Sequence, residues 1–405
     1  MPRSFLYEVP PTAGLPPRFG DLLPSATPTL SARAAQFLGV DEVQVECSGT
    51  AALVVALTAL KRQSHRTSVI VPAYTCPLVA IAVAHCGLKL RLCDLVPDGI
   101  DMDDLQLDAL CDEDTLAIVP THLAGRVADV DAAITCARRV DACVIEDAAQ
   151  ALGARFADGS AVGTRGDIGF FSLAVGKGLT TFEGGLLVAR DAALRRELRR
   201  VSEEIIPRSF AWELKRSVQL LGYHALYNPF GLKFVHGDPR RRALRNGDLI
   251  GAVGDDFSLA IPLHTLGTWR QSIGAHAFAR LGEFQHECFR RAQSRIAQLL
   301  VKNRAKSDVL LDHFGHGTWP FLLVLMPSEA ARDAALARLW STNLGVSRLF
   351  IHALPDYAYL ADIVPQADVP NARDFAARML TISNSPWLDD AGFERICRVL
   401  ENTTA

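Results

Sequence analysis

The sequence predicts an α/β fold, a mostly parallel sheet sandwiched by helices, with a smaller α+β C-terminal domain. Two observations carry this. From about residue 31 short apolar strands alternate with helical stretches, the pattern of a parallel sheet covered on both faces. The chain is also 405 residues long, too long for one ordinary core, so two domains are expected. We divide it into an arm over 1–30, a large domain over 31–260 carrying an insertion at 206–255, and a small domain over 261–405.

Each element follows from its local pattern. Residues 1–30 are proline-rich and read as an extended arm. Ala51–Leu60 reads as a helix, Ser68–Val71 as a β-branched strand closed by Pro72, and Cys76–His85 as a helix. Leu88–Leu92, Thr115–Val119, Ala142–Ile145 and Ile168–Leu173 are further strands. Gly184–Gly185 reads as a turn into a strand over Leu186–Ala189, and 190–205 as a charged amphipathic helix. Residues 206–255 change character: PRSFAWELKRSVQLLGYHALYNPFGLKF is aromatic-rich and PRRRALRNG after it is basic, which reads as an insertion or lid. A long helix over Ile273–Lys302 leads to a strand at Phe321–Leu325, a helix at Glu329–Asn343 and a closing helix at Asp389–Glu401.

Composition narrows the function. Half the chain is hydrophobic and 21% charged, a globular balance, and the net charge of −3 gives no reason to expect a nucleic-acid partner. Nine cysteines without a CxxC pair suit a reducing compartment. MPRSFLYEVPPTAGLPP has no apolar signal-peptide core, and the uncharged Val69–Ala84 contains Pro72 and Pro77 and is too short to span a membrane. We therefore expect a cytoplasmic protein. No GxGxxG fingerprint, Walker loop or HExxH is present, and no metal site is expected.

The chemistry-bearing residues fall where a parallel sheet gathers the carboxyl ends of its strands. In 167-DIGFFSLAVGKGLTTFEGGLLV-188 the one lysine is Lys177. Desolvated there, it would have a lowered pKa and act as a Schiff-base nucleophile; the bland alternative is a lysine snorkelling from a loop. In 47-CSGTAAL-53, Gly49 and Thr50 open a helix whose free N–H groups form a phosphate cradle or are simply capped. Asp147, just past an apolar strand, calls for a cationic partner such as a pyridinium nitrogen, or caps a helix. Gln150 points to the same mouth. Ser172 offers a phosphate hydroxyl, or is a satisfied core serine. Together they describe a pyridoxal 5'-phosphate site.

At this point the sequence resembles the DegT/StrS-type sugar aminotransferases, of pyridoxal-phosphate fold type I. The resemblance runs through 48-SGTAAL-53, 70-IVPAYT-75, 121-THLAGRVADVD-131, 146-EDAAQALGA-154, 162-VGTRGDIGFFS-172, Lys177 with 183-EGG-185, and 267-GTWR-270. It implies that Lys177 is the catalytic Schiff-base lysine, Asp147 the partner of the pyridine nitrogen and Gln150 a ring contact, with Ser172, Gly49 and Thr50 on the phosphate. It implies an amino-acid donor such as glutamate, a nucleotide-linked keto sugar as acceptor, and a homodimer in which Thr268, Trp269 or Arg270 approaches the partner's cofactor near the insertion. The sequence departs from the family pattern at three places. Cys76 stands where an aromatic would cover the ring, leaving Tyr74 or another group for that task. Thr268 replaces an asparagine, and Gly178 follows the lysine. His122 reads either as a cofactor or substrate contact or as a structural hydrogen-bonder. Arg240–Arg242 reads as a solvated charge run, a diphosphate contact or a contact to an anionic surface. A non-sugar ketone as substrate, or a non-catalytic regulatory or scaffold role, are the alternatives.

Overall fold

A computed structural model describes residues 7–23, 28–302, 308–311 and 313–403; the remainder of the arm expected over 1–30 lies outside the described residues. The chain enters helix α1 (Leu30–Leu38), then alternates β1 (Gln44–Glu46), α2 (Gly49–Gln63), β2 (Ser68–Pro72), α3 (Pro77–His85), β3 (Lys89–Cys93), α4 (Asp104–Leu110), β4 (Thr115–Ile118), α5 (Val130–Val140) and β5 (Cys143–Asp147). After the two-residue β6 (Arg155–Phe156) come β7 (Ile168–Ser172), β8 (Gly185–Ala189) and α6 (Ala192–Ile205). Seven strands form one sheet in the order β1-β8-β7-β5-β4-β2-β3. All neighbouring pairs are parallel except those made by β8, which runs antiparallel to both β1 and β7. The chain turns outward from β2 to β3 and returns on the other side at β4, so the crevice at the carboxyl ends of β2 and β4 is a topological switch point.

The insertion folds as α7 (Phe210–Leu226), α8 (Pro229–Leu232), a π-helical turn at Lys233–Gly237, α9 (Asp238–Arg245) and α10 (Leu249–Val253). The 35-residue helix α11 (Thr268–Lys302) follows. Beyond it, β9 (Asp308–Val309), the short β10 (Gly315–His316), β11 (Phe321–Leu325), α12 (Glu329–Leu339), β12 (Val346–Ser347), α13 (Pro370–Arg378), β13 (Met379–Ser383) and α14 (Asp390–Thr403) complete the chain. Here an antiparallel sheet, β12-β13-β11-β9, has its own core around Leu322, Val324, Leu380 and Ile382.

The arm is tied to both regions. Val9 N–H donates to Asn343 O at 3.1 Å, Ala13 N–H to Pro320 O at 2.7 Å, and Leu15 N–H to Gly178 O at 2.8 Å in the loop that carries Lys177. Two of the three arginines of the run depart from the expected solvated face, while Arg242 is exposed as expected. Arg240 is buried and pairs with the buried Glu8 at 2.9 Å, while Arg241 pairs with Glu8 at 2.7 Å and Asp238 at 2.9 Å. A buried carboxylate needs such partners, and these two arginines bind the arm to α9.

Candidate active site

A cavity of about 840 Å³ opens at the carboxyl ends of the parallel strands. Gly49, Thr50, Asp147, Gln150, Ser172 and Lys177 all line it, so the site residues read from the sequence converge on one space. His122 and Cys76 line it too. Among the described residues no group of acids, histidines and cysteines could hold a metal.

The α2 end of the cavity is built by close approach. Ser48 caps α2, its Oγ accepting from Ala51 N–H at 3.0 Å, which leaves the Gly49 and Thr50 amides without an intrahelical partner. A Cβ on Gly49 would stand 3.2 Å from the Ser172 Cβ, and one on Gly185 would fall 2.2 Å from Ser48 O. Gly185 therefore lets β8 press against the start of α2, beside Ser172. Ser172 Oγ accepts from Ala174 N–H at 3.3 Å, which leaves its own O–H to donate elsewhere.

Asp147 ends β5, 4% exposed. No helix follows it, so the helix-cap alternative is excluded; its Oδ1 accepts from Ala149 N–H at 3.0 Å, across a turn. Burial pushes its carboxyl above the usual range, opposed by that hydrogen bond and by Lys177. Lys177 sits in the loop between β7 and β8. Burial holds its amine below the ordinary lysine value, against the opposing pull of Asp147. Among the described residues its ammonium has neither hydrogen bond nor ion pair. Cys76 is a neutral thiol, its pKa pushed up to about 12 by burial.

Gln150 is partly committed: its Oε1 accepts from Ala124 N–H at 2.7 Å, a residue held at φ 57°. His122 is fully buried with both nitrogens engaged. Nδ1 accepts from Ala128 N–H at 3.0 Å, so Nε2 carries the proton and donates to Glu146 at 3.0 Å. The ring can offer the cavity only its face. Tyr74 does not line the cavity: its hydroxyl donates to Phe350 O at 3.0 Å and its ring packs edge-on to Phe350 and Phe375.

Sequence reasoning missed several groups. Glu146, read only as part of a motif, is fully buried and gathers the loop before β7, accepting from the amides of Gly163 (2.8 Å), Arg165 (2.6 Å) and Gly166 (2.6 Å). A carboxylate inside an apolar strand was the available signal. Glu183 accepts from Trp212 Nε1 and His264 Nε2 and pairs with Arg216, joining the Lys177 loop to α7. Asp255 also lines the cavity; its Oδ2 accepts from Ile351 N–H at 2.7 Å and Tyr357 O–H at 2.8 Å, and burial pushes its carboxyl up to about 6. Thr268–Arg270 lie elsewhere. Thr268 is exposed, Trp269 donates to Leu22 O at 3.0 Å, and Arg270 is fully buried, so the last two have their polar groups engaged within the chain.

The model of the DegT/DnrJ/EryC1/StrS aminotransferase family matches residues 26–224. Among curated proteins, the chain is 38% identical over 165 residues to GDP-perosamine synthase of Caulobacter vibrioides, covering 41% of this chain and 44% of that one. It is 24% identical over 364 residues to dTDP-4-amino-4,6-dideoxy-D-glucose transaminase of Shigella dysenteriae, covering 87% and 83%. For three of the curated relatives, GDP-perosamine synthase among them, the alignment spans less than half of the relative's length. The fold is shared with Helicobacter pylori PseC, an aminotransferase of pseudoaminic acid biosynthesis, at TM-score 0.72 and 17% identity over 97% of this chain and 99% of that one. It is shared with DesI, solved in the presence of its TDP-sugar product, at TM-score 0.74 and 20% identity over 98% and 93%.

Proposed function

We propose, for a chain whose residues 26–224 belong to the DegT/DnrJ/EryC1/StrS aminotransferase family, a pyridoxal-phosphate-dependent aminotransferase that moves an amino group from an amino-acid donor to a nucleotide-linked keto sugar. The observation that carries this reading is that Lys177 and Asp147 line one cavity together with Gly49 and Thr50 at the N-terminus of α2. The residues fit the cofactor. An anion suits the free Gly49 and Thr50 amides and the Ser172 hydroxyl at the positive end of α2. A protonated ring nitrogen suits the buried Asp147 carboxylate, whose ionised form lacks a full partner. An aldehyde suits Lys177, whose lowered pKa favours the free amine.

Bound there, pyridoxal phosphate supplies an electron sink for the pair left when a C–H bond beside the amine breaks. The chain supplies the rest. Asp147 holds the ring nitrogen's proton by opposite charge. Lys177 Nζ, once free of the cofactor, takes a proton from one carbon and returns it to another as general base and acid. His122 and Cys76 offer uncharged surfaces to the ring, and the insertion, through Gln219, Tyr223 and Leu226, walls the substrate side. We assign glutamate as the donor, and a two-fold homodimer as the assembly, with Thr268 toward the partner; light scattering of the cofactor-loaded protein should give twice the chain mass, and an active monomer would refute the dimer.

A second reading, an acceptor with an apolar body in place of a sugar nucleotide, is favoured by the apolar walls at Leu232, Val235, Phe257, Leu349 and Phe350. The test is spectroscopic. Glutamate should bleach the visible band of the yellow protein, and the true acceptor, drawn from a panel of nucleotide-linked keto sugars and apolar ketones, should restore it. A band that no amino acid bleaches would refute the aminotransferase reading.

A further inference from the structure

Helix α7 is inside out. Three of its polar side chains face the protein: Glu213 binds Arg270, Arg216 binds Glu183, and Gln219 lines the cavity. Its outward stripe is apolar, with Phe210 83% exposed, Leu214 53%, Val218 60% and Leu221 46%, at helical spacings of four, four and three. A surface helix of a globular protein normally carries the reverse arrangement, and a contiguous outward apolar face marks a contact surface. The face does not stop at α7. Phe230 and Phe234 are exposed and pack edge to face, with ring centroids 5.1 Å apart. Leu226 and Val235 are both exposed and part of the cavity wall, so they stand on the outer surface and at the candidate active site at once.

Charge selects the occupant. Residues 206–255 carry eight lysines and arginines; Arg216, Lys233, Arg240 and Arg241 are ion-paired with Glu183, Asp238 and Glu8, which leaves Arg208, Lys215, Arg242 and Arg245. Arg208 precedes the stripe and Lys215 stands beside Leu214, both exposed; Arg242 and Arg245 are exposed on α9. An apolar stripe on a segment with exposed cations fits an anionic bilayer surface, where apolar side chains enter the headgroup boundary and cations add electrostatic attraction. Two copies of the same cationic face would repel each other. We infer that the insertion over 206–255 is a membrane-surface docking element, with α7 lying on anionic lipid and the cavity mouth at Leu226 and Val235 facing the bilayer. Among the described residues no helix is long and apolar enough to cross a membrane, so the contact is peripheral. The inference is independent of the reaction performed in the cavity.

The test is sedimentation of the cofactor-loaded protein with vesicles of phosphatidylcholine alone and of phosphatidylcholine containing phosphatidylglycerol. The protein should pellet with the anionic vesicles, less so in high salt. The triple variant Phe210→Ser, Leu214→Ser, Val218→Ser should partition roughly tenfold more weakly or worse, as expected when side chains that enter the headgroup boundary are lost. Its visible cofactor band and circular dichroism should stay unchanged, since the three side chains point into solvent. The inference is overturned if the wild type stays in the supernatant with anionic vesicles, or if the triple variant binds as well as the wild type. It is equally overturned if the triple change converts a dimer to a monomer without altering lipid binding, which would assign the stripe to a second copy.

Discussion

Arg270 of α11 grips Glu213 of α7 through two hydrogen bonds, Nε to Oε1 at 2.9 Å and Nη2 to Oε2 at 2.5 Å, while its Nη1 donates to the Glu183 carbonyl at 2.7 Å. One fully buried guanidinium thus fixes both the insertion and the end of the loop that carries Lys177. Removing it strands a carboxylate and a carbonyl. Arg270→Ala should cost roughly 3–5 kcal/mol of stability, the scale for breaking a buried pair. Arg270→Lys should recover only part, because an ammonium cannot reproduce the two-pronged geometry. Urea unfolding of the three proteins checks this; equal midpoints would show that the pair contributes nothing.

Asp147→Asn should lower turnover by about 100-fold or more, the scale of losing a preorganised electrostatic partner. The cofactor should still bind, held by the α2 terminus and Ser172. Steady-state rates beside a cofactor titration separate the two effects, and near-normal turnover would remove Asp147 from the chemistry.

Gly185→Ala should disturb the phosphate end of the site from a distance. The added Cβ would lie 2.2 Å from Ser48 O, a backbone atom that cannot swing aside, so β8 and the start of α2 must part. Overpacking of this kind costs about 1–3 kcal/mol, and cofactor affinity should fall with it. Equilibrium dialysis measures the affinity; an unchanged value would mean that the Gly49–Thr50 cradle does not hold the phosphate.

Asp255 imposes a pH dependence. Its folded-state pKa, about 6 against an ordinary 3.8, is raised by burial, so the native state holds this proton more tightly than the unfolded chain does. The resulting stabilisation is fully present below the unfolded value and is lost as pH rises through about 6. Asp255→Asn does not ionise and keeps an oxygen for Tyr357 and Ile351 to donate to. Relative to wild type the variant should gain about 1–2 kcal/mol between roughly pH 4.5 and pH 7.5, since each pKa unit is worth about 1.4 kcal/mol. Chemical denaturation at the two pH values tests the sign as well as the size; a constant difference would refute it.

What was legible in the sequence was local. Ser68–Val71 and Phe321–Leu325 announce themselves as dense apolar runs, and each emerges as a buried strand. Asp147 and Lys177 stand out because a charge in apolar surroundings demands a reason. The antiparallel run of β8 was hidden, since Leu186–Ala189 has the same apolar pattern whichever way it points. So were the partners of the buried arginines: Arg240 meets Glu8 across 232 positions and Arg270 meets Glu213 across 57, and nothing near either residue encodes the distant acid. Helix α7 misleads for a related reason. Its apolar period is correct for a helix, but the pattern cannot say which face the rest of the chain will cover.

The central claim is that Lys177 is the residue that holds pyridoxal phosphate. Borohydride reduction of the yellow protein, followed by peptide mapping, tests it most directly. A single pyridoxyl-labelled peptide is expected, carrying the group on Lys177 and absent from Lys177→Ala. A label on any other lysine, or no label on a protein that binds the cofactor, would contradict it.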